Sequence, residues 1–162
     1  MICRSERMSL PPKLVSPFVM WAKVLAGFIL AFLLVPDTAL FQANIFTSAL
    51  FLLAGANWLY FFAFALVENR YAARSAASVK SLVTTGVYTK VRHPIYSADI
   101  FFAWGIFLFS PTLRIFACAA WLTVVLLLWM RLEENALLKK FGAQYARYCA
   151  KTPMLIPNYF KK

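Results

Sequence analysis

The sequence predicts an all-α integral membrane protein of about four transmembrane helices, with a helical hairpin and a C-terminal amphipathic helix on the cytoplasmic side. Composition is the first observation behind this. Of 162 residues, 62% are hydrophobic and 14% are charged, whereas a soluble domain carries about 45–50% apolar and roughly 25% charged residues. The second is clustering, because the apolar residues gather into four runs near the ~20 residues that cross a bilayer core. The third is the placement of the basic residues behind the net charge of +11, which stand at the ends of those runs. There they act as topology determinants facing anionic lipid, which argues against a nucleic-acid partner. The length suits one membrane domain covering residues 1–162.

The chain before the first run reads as a retained flank, because no small-residue cleavage pattern follows that run. The first helix is expected over about residues 18–35. Only Lys23 interrupts it, and a lysine can snorkel. Pro36 and Asp37 end it. The second helix is expected over about 45–67, closing at Glu68, Asn69 and Arg70. A polar stretch with Arg70, Arg74, Lys80, Lys90 and Arg92 follows, and its Leu82 to Tyr88 portion suits the membrane interface. The third helix starts at Pro94, a favoured first helical position, and runs to 109; the fourth spans about 113–131. Only Ser110, Pro111 and Thr112 separate these two, so they must form a tight antiparallel hairpin.

From Glu133 the fourth helix is expected to continue as an amphipathic interfacial helix. Leu137, Phe141, Tyr145 and Tyr148 make one face, and Lys140, Gln144 and Arg147 the other. Basic residues crowd the N-terminal flank (Arg4, Arg7, Lys13), the stretch before Pro94, and the tail (Arg131, Lys139, Lys140, Arg147, Lys151, Lys161, Lys162). The loop after the first helix has none, and the hairpin turn has only Arg114 at its border. A multi-pass protein with both termini cytoplasmic satisfies this asymmetry. The cysteines, Cys3, Cys118 and Cys149, are scattered and odd in number, and His93 is the one histidine. This pattern predicts no metal site, no disulfide and a reducing compartment.

Chemistry concentrates at Arg92, His93, Pro94 and Tyr96, answered by Glu133 and Glu134. Ionisable groups at the mouths of membrane helices are costly to desolvate and mark function. Pro94 sets a helix start whose free N–H groups form a positive pole. Arg92 could equally pair with lipid phosphate, and His93 could cap the helix. Glu133 and Glu134 lack a lysine four residues on, so they need another cation. Arg131 can meet one carboxylate, and a ligand ammonium or sulfonium the other. Tyr145 and Tyr148 read most simply as interfacial aromatics. Asp99 lies one turn inside the third helix and should face a cavity or a partner rather than lipid. No glycine-rich nucleotide loop or nucleophile elbow is present, so any nucleotide cofactor must sit among the helices and tail.

These residues resemble the membrane-embedded methyltransferases that include isoprenylcysteine carboxyl methyltransferases and phospholipid N-methyltransferases. The matching pieces are Thr85-Gly86-Val87-Tyr88, Val91-Arg92-His93-Pro94-Ile95-Tyr96, Glu133-Glu134-Asn135-Ala136-Leu137-Leu138, Phe141-Gly142, Tyr145, Tyr148, Pro153 and Pro157. The resemblance covers a cofactor-binding half of about residues 82–157. It implies S-adenosyl-L-methionine as cofactor, contacted by His93, Pro94, Tyr96, Glu133, Glu134, Tyr145 and Tyr148. A lipid-like or small-molecule acceptor would enter from the bilayer, with Arg92 or Arg131 holding it if it is a carboxylate. The sequence departs from the family at Ala98, often glycine there, and at Asp99. His-Pro-x-Tyr-x-Gly-Asp is also a pattern of membrane sterol and steroid reductases, which use NADPH. In a reductase Asp99 or Tyr96 would donate a proton. In a methyltransferase whose acceptor is already an anion, Asp99 would only tune the site. A non-catalytic small four-helix membrane protein is the third reading.

Overall fold

A computed structural model describes residues 17–68 and 81–158. The N-terminal flank with Cys3, Arg4, Arg7 and Lys13, the basic residues Arg70, Arg74 and Lys80, and Lys161 and Lys162 lie outside the described residues. The described chain is helical: α1 Pro17–Leu34, α2 Ile45–Glu68, a 3-10 turn Gly86–Thr89, α3 Pro94–Phe109, α4 Leu113–Phe141 and α5 Ala143–Lys151. Three of these, α1, α2 and α4, are long and apolar enough to cross a bilayer, and α3 is a shorter apolar helix of 16 residues. By length and composition the described chain thus has three candidate membrane spans.

Helix ends follow local chemistry. Asn44 opens α2: its Oδ1 accepts from the Phe46 and Thr47 amides, while Thr47 Oγ1 accepts from the Asn44 amide. This reciprocal pairing satisfies donors that a helix start leaves orphaned. Thr112 caps α4 by accepting from the Ile115 amide. The expected continuation of the fourth helix is real as far as Phe141. There Gly142 takes φ +51 and ends it, so the amphipathic face is split between α4 and α5. A positive φ is cheap only for glycine.

The helices pack as a row. α1 lies on α4, α4 on α3, and α3 most extensively on α2. Small residues permit the close approaches. A Cβ on Gly105 of α3 would come within 2.7 Å of the Ala54 Cβ of α2, and one on Gly27 of α1 would overlap the Trp121 ring of α4. Trp121 also donates its indole N–H to the Lys23 carbonyl at 3.0 Å. A row buries less than a closed bundle, and large apolar side chains such as Phe18, Leu34, Ile45, Leu53 and Val67 remain outward. Lipid is the solvent that suits such a surface.

The end of the row that carries the hairpin turn is stitched by backbone. The Leu40 amide donates to the Pro111 carbonyl and the Leu113 amide to the Thr38 carbonyl, both at 2.8 Å. Arg114 donates from Nε to the Val35 carbonyl and faces Asp37 at 3.7 Å. The opposite end holds the charged motifs.

Candidate functional site

Pro94 at the first helical position stops α3 from extending backwards and leaves Arg92 and His93 in the turn before it. That turn follows the 3-10 element, whose Gly86 has φ +53 with the Glu68 carboxylate lying where a Cβ would stand. Thr85 donates to the same carboxylate at 3.0 Å. α4 supplies the other half of the site. Roughly 20 residues cross the bilayer core, so in a helix of 29 residues Glu133 and Glu134 stand just beyond the spanning part.

Arg92 is the hub. Its Nε donates to Glu134 Oε1 at 2.6 Å, and its Nη1 donates to the carbonyls of Cys149 and Thr152. Its own amide donates to the Pro153 carbonyl at 2.9 Å. The C-terminal chain is thus strapped over the start of α3. The Asn158 amide donating to the Lys90 carbonyl and Ser97 Oγ donating to the Leu155 carbonyl extend the strap.

His93 does not cap α3 with its side chain. Its ring turns toward the two carboxylates, with Nδ1 at 3.8 Å from Glu133 Oε2 and Nε2 at 3.4 Å from Glu134 Oε1. Nε2 is buried and without an aligned hydrogen-bond partner. The Tyr96 ring stacks near the His93 ring at 5.8 Å, and its hydroxyl donates to Glu133 Oε1 at 2.8 Å. Arg92, His93, Glu133 and Glu134 are all buried.

The adjacent glutamates differ electrostatically. Burial pushes the Glu134 carboxyl up, yet the His93 imidazole and the Arg92 guanidinium beside it overcome this and hold it at about 2. Burial also pushes Glu133 up, and there His93 and the Tyr96 hydroxyl offset only part of the effect. One carboxylate is paired within the protein; the other lacks a full counter-charge.

The structure brings together Arg92, His93, Pro94, Tyr96, Glu133 and Glu134. It does not bring in Arg131, which is exposed on α4 while its two glutamate neighbours are buried. Arg92 spends its donors on Glu134 and the tail, so its observed work is bracing. Tyr145 is fully buried, unlike an interfacial aromatic, and Tyr148 donates its hydroxyl to the Tyr88 carbonyl at 2.6 Å. Both pack α5 against the body of the protein. Burial pushes the Tyr148 hydroxyl up, which keeps it a donor. Sequence reasoning missed Ser97 and the carbonyls of Cys149, Thr152 and Pro153. Backbone acceptors have no side-chain signature, so no pattern could have found those three. It also missed Trp58, whose indole N–H donates to Asp99 Oδ1 at 2.7 Å from 41 residues away. Among the described residues no cluster suits a metal ion.

Comparisons with known proteins fit this arrangement. The phospholipid methyltransferase family model matches residues 47–144. Methanethiol S-methyltransferase 2 of Bradyrhizobium diazoefficiens is 30% identical over 128 residues, which cover 70% of this chain and 49% of that protein. The chain therefore spans about half the length of this curated relative. No solved structure matches. The family match takes in more than half the chain and includes Arg92, His93, Tyr96, Glu133 and Glu134, and on that basis the chain belongs to the phospholipid methyltransferase family.

Proposed function

We propose that the protein is an integral-membrane methyltransferase that uses S-adenosyl-L-methionine and a lipid-like or small-molecule acceptor. The charge count of the buried cluster carries this reading. Among the described residues, Arg92 is the one permanent cation in contact with the buried carboxylate pair, Glu133 and Glu134, within the family-matched region. A buried carboxylate without a cation is strongly disfavoured, and S-adenosylmethionine brings both a sulfonium and an ammonium. Two buried donors or acceptors of the same region, His93 Nε2 and Trp129 Nε1, lack hydrogen-bond partners within the protein and suit its polar groups. Trp129 lies one helical turn before Glu133 on α4.

When bound, S-adenosylmethionine supplies an electrophilic methyl group. The chain then needs no nucleophile of its own, and its residues orient, exclude water and place charge. Glu133 meets the cationic part of the cofactor, and the Tyr96 hydroxyl aims that carboxylate by donating to Oε1. Arg92 fixes Glu134 and draws the C-terminal strap over the site. α3 completes a fourth span through its hairpin with α4, and both termini are cytoplasmic, as the basic residues require. The acceptor reaches the site from the bilayer between helices. The resemblance offers an isoprenylcysteine carboxylate as that acceptor, and the name of the curated relative offers a small thiol.

Calorimetric titration of the detergent-purified protein with S-adenosylmethionine and, separately, with NADPH tests this reading. S-adenosylmethionine binds, and His93→Ala and Glu133→Gln each weaken it about 10-fold or more, the size expected for losing a hydrogen bond to a charged group. NADPH binding in its place would overturn the methyltransferase reading in favour of a reductase.

A further inference from the structure

Asp99 is the one charged residue of α3, and the cofactor cluster does not use it. Its Oδ1 accepts from the Trp58 indole at 2.7 Å. Its Oδ2 is buried and has no hydrogen-bond partner in the protein. A purely structural contact with Trp58 would need one acceptor atom, which an asparagine or glutamine also provides. Keeping a full carboxylate in an apolar helix, with one oxygen unengaged, is costly unless that oxygen has work to do.

Its position says what work. Asp99 lies three residues after Tyr96, about 4.5 Å further along the helix axis. Tyr96 in turn donates to Glu133 of the cofactor cluster at 2.8 Å. On the other side Asp99 borders, through Trp58, an aromatic column between α2 and α3. Trp58 stacks with Phe62 at 4.9 Å and with Phe102 at 5.6 Å, and Phe102 stacks with Phe51 at 5.9 Å. An apolar acceptor lying along that column would bring its polar end within reach of Asp99.

We propose that Asp99 Oδ2 accepts the proton that the methyl acceptor loses, so that the acceptor is a thiol or an amine rather than a carboxylate. This rests on the methyltransferase reading and deepens it. For a thiol, the S–H bond breaks and its proton passes to Oδ2. The sulfur lone pair forms the new S–CH3 bond as the donor's C–S bond breaks, and that electron pair stays on the former sulfonium sulfur. An ammonium first gives one proton to the same oxygen, and the nitrogen lone pair then forms the N–CH3 bond. The proton passes to water as product leaves. A carboxylate acceptor has no proton to give and would meet Asp99 as a like charge. Trp58 is a positioning residue, since it aims Oδ2 by holding Oδ1.

Asp99→Asn keeps an oxygen for Trp58 and removes only the proton-accepting charge. Four probes are compared with the full-length protein in detergent: 1-hexanethiol, hexylamine, 4-nitrothiophenol (already an anion at neutral pH) and an N-acetyl-S-alkylcysteine, which offers a carboxylate and no amine or thiol. In the wild type, hexanethiol or hexylamine is methylated and the carboxylate is not. In Asp99→Asn, kcat for that acceptor falls about 100-fold or more, within the range for loss of a general base. The rate with 4-nitrothiophenol and the affinity for S-adenosylmethionine each stay within about two-fold. Asp99→Glu recovers part of the lost kcat. Hexylamine binding without cofactor weakens about 10-fold in Asp99→Asn, as expected for a lost charge-assisted hydrogen bond. Equal losses with hexanethiol and 4-nitrothiophenol would reduce Asp99 to a structural role, and wild-type preference for the carboxylate would overturn the acceptor class. Wild-type protein that binds S-adenosylmethionine but methylates none of the four also overturns it. Failure to bind S-adenosylmethionine overturns the methyltransferase reading instead.

Discussion

The two ends of the helix row each carry an arginine–carboxylate pair and treat it in opposite ways. At the cluster end Arg92 and Glu134 are 2.6 Å apart with side chains only 4% and 10% exposed. The same guanidinium also bonds two tail carbonyls. At the hairpin end Arg114 and Asp37 are 3.7 Å apart and 25% and 57% exposed. There the loops are held by backbone hydrogen bonds between Thr38, Leu40, Pro111 and Leu113, and the charges are an accessory. Burial makes the difference. A pair out of water cannot lose one member without stranding the other, whereas a wet pair can fall back on solvent.

The largest expected effect comes from breaking the buried pair. Arg92→Ala strands Glu134 and releases the strap, which should cost about 3–5 kcal/mol. Thermal unfolding in detergent and limited proteolysis of the tail read this out. A Tm close to wild type, with the tail still protected, would mean that α5 holds the strap without Arg92.

A sharper contrast lies inside the cluster, between neighbouring glutamates. Glu134 is held at about 2 against an ordinary 4.5, so its folded-state value is depressed. Its stabilisation is complete above pH 4.5 and is lost as the pH falls toward 2. Glu133 is displaced upward by burial. The cost this brings to folding is absent below pH 4.5, grows as the pH rises above 4.5, and is complete above its own raised value. Glu134→Gln should therefore lower Tm at pH 7–8 and lose most of its effect near pH 2. Glu133→Gln, which still accepts from Tyr96, should leave Tm at pH 7–8 equal or higher while weakening cofactor binding. Tm profiles of both variants against pH check this, and equal destabilisation at pH 8 would erase the distinction.

The smallest effect belongs to the exposed pair. Arg114→Ala loses the Asp37 contact and one hydrogen bond to Val35, and should change stability by about 1 kcal/mol. Raising the salt concentration should leave the wild-type Tm nearly unchanged, since the backbone stitches do not respond to screening. A loss matching that of Arg92→Ala would show that the hairpin end depends on charge after all.

Much of this was legible in the sequence for identifiable reasons. The four helices follow from apolar runs closed by Pro36, Ser110 and Pro111. Pro94 marks the start of α3 to the residue. His93 and the two glutamates stand out because charge at a membrane helix end is costly. Gly142 shows how a single residue changed the outcome: the amphipathic spacing runs straight through it, but its positive φ splits the helix. Arg131 shows the converse. It is next in line to the glutamates by sequence, yet the helix turns it outward.

By itself the sequence determined the solvent and the elements, because hydrophobic run length and helix punctuation act over a few residues. It also determined which side chains were too costly to be idle. Only the tertiary structure decided how those side chains divide the work. The Arg92 contacts with carbonyls 57 and 60 residues away, and the Trp58 contact with Asp99 across α2 and α3, come from packing. So does the separation of Glu133 from Glu134, since two identical side chains in adjacent positions are told apart only by what is folded against each.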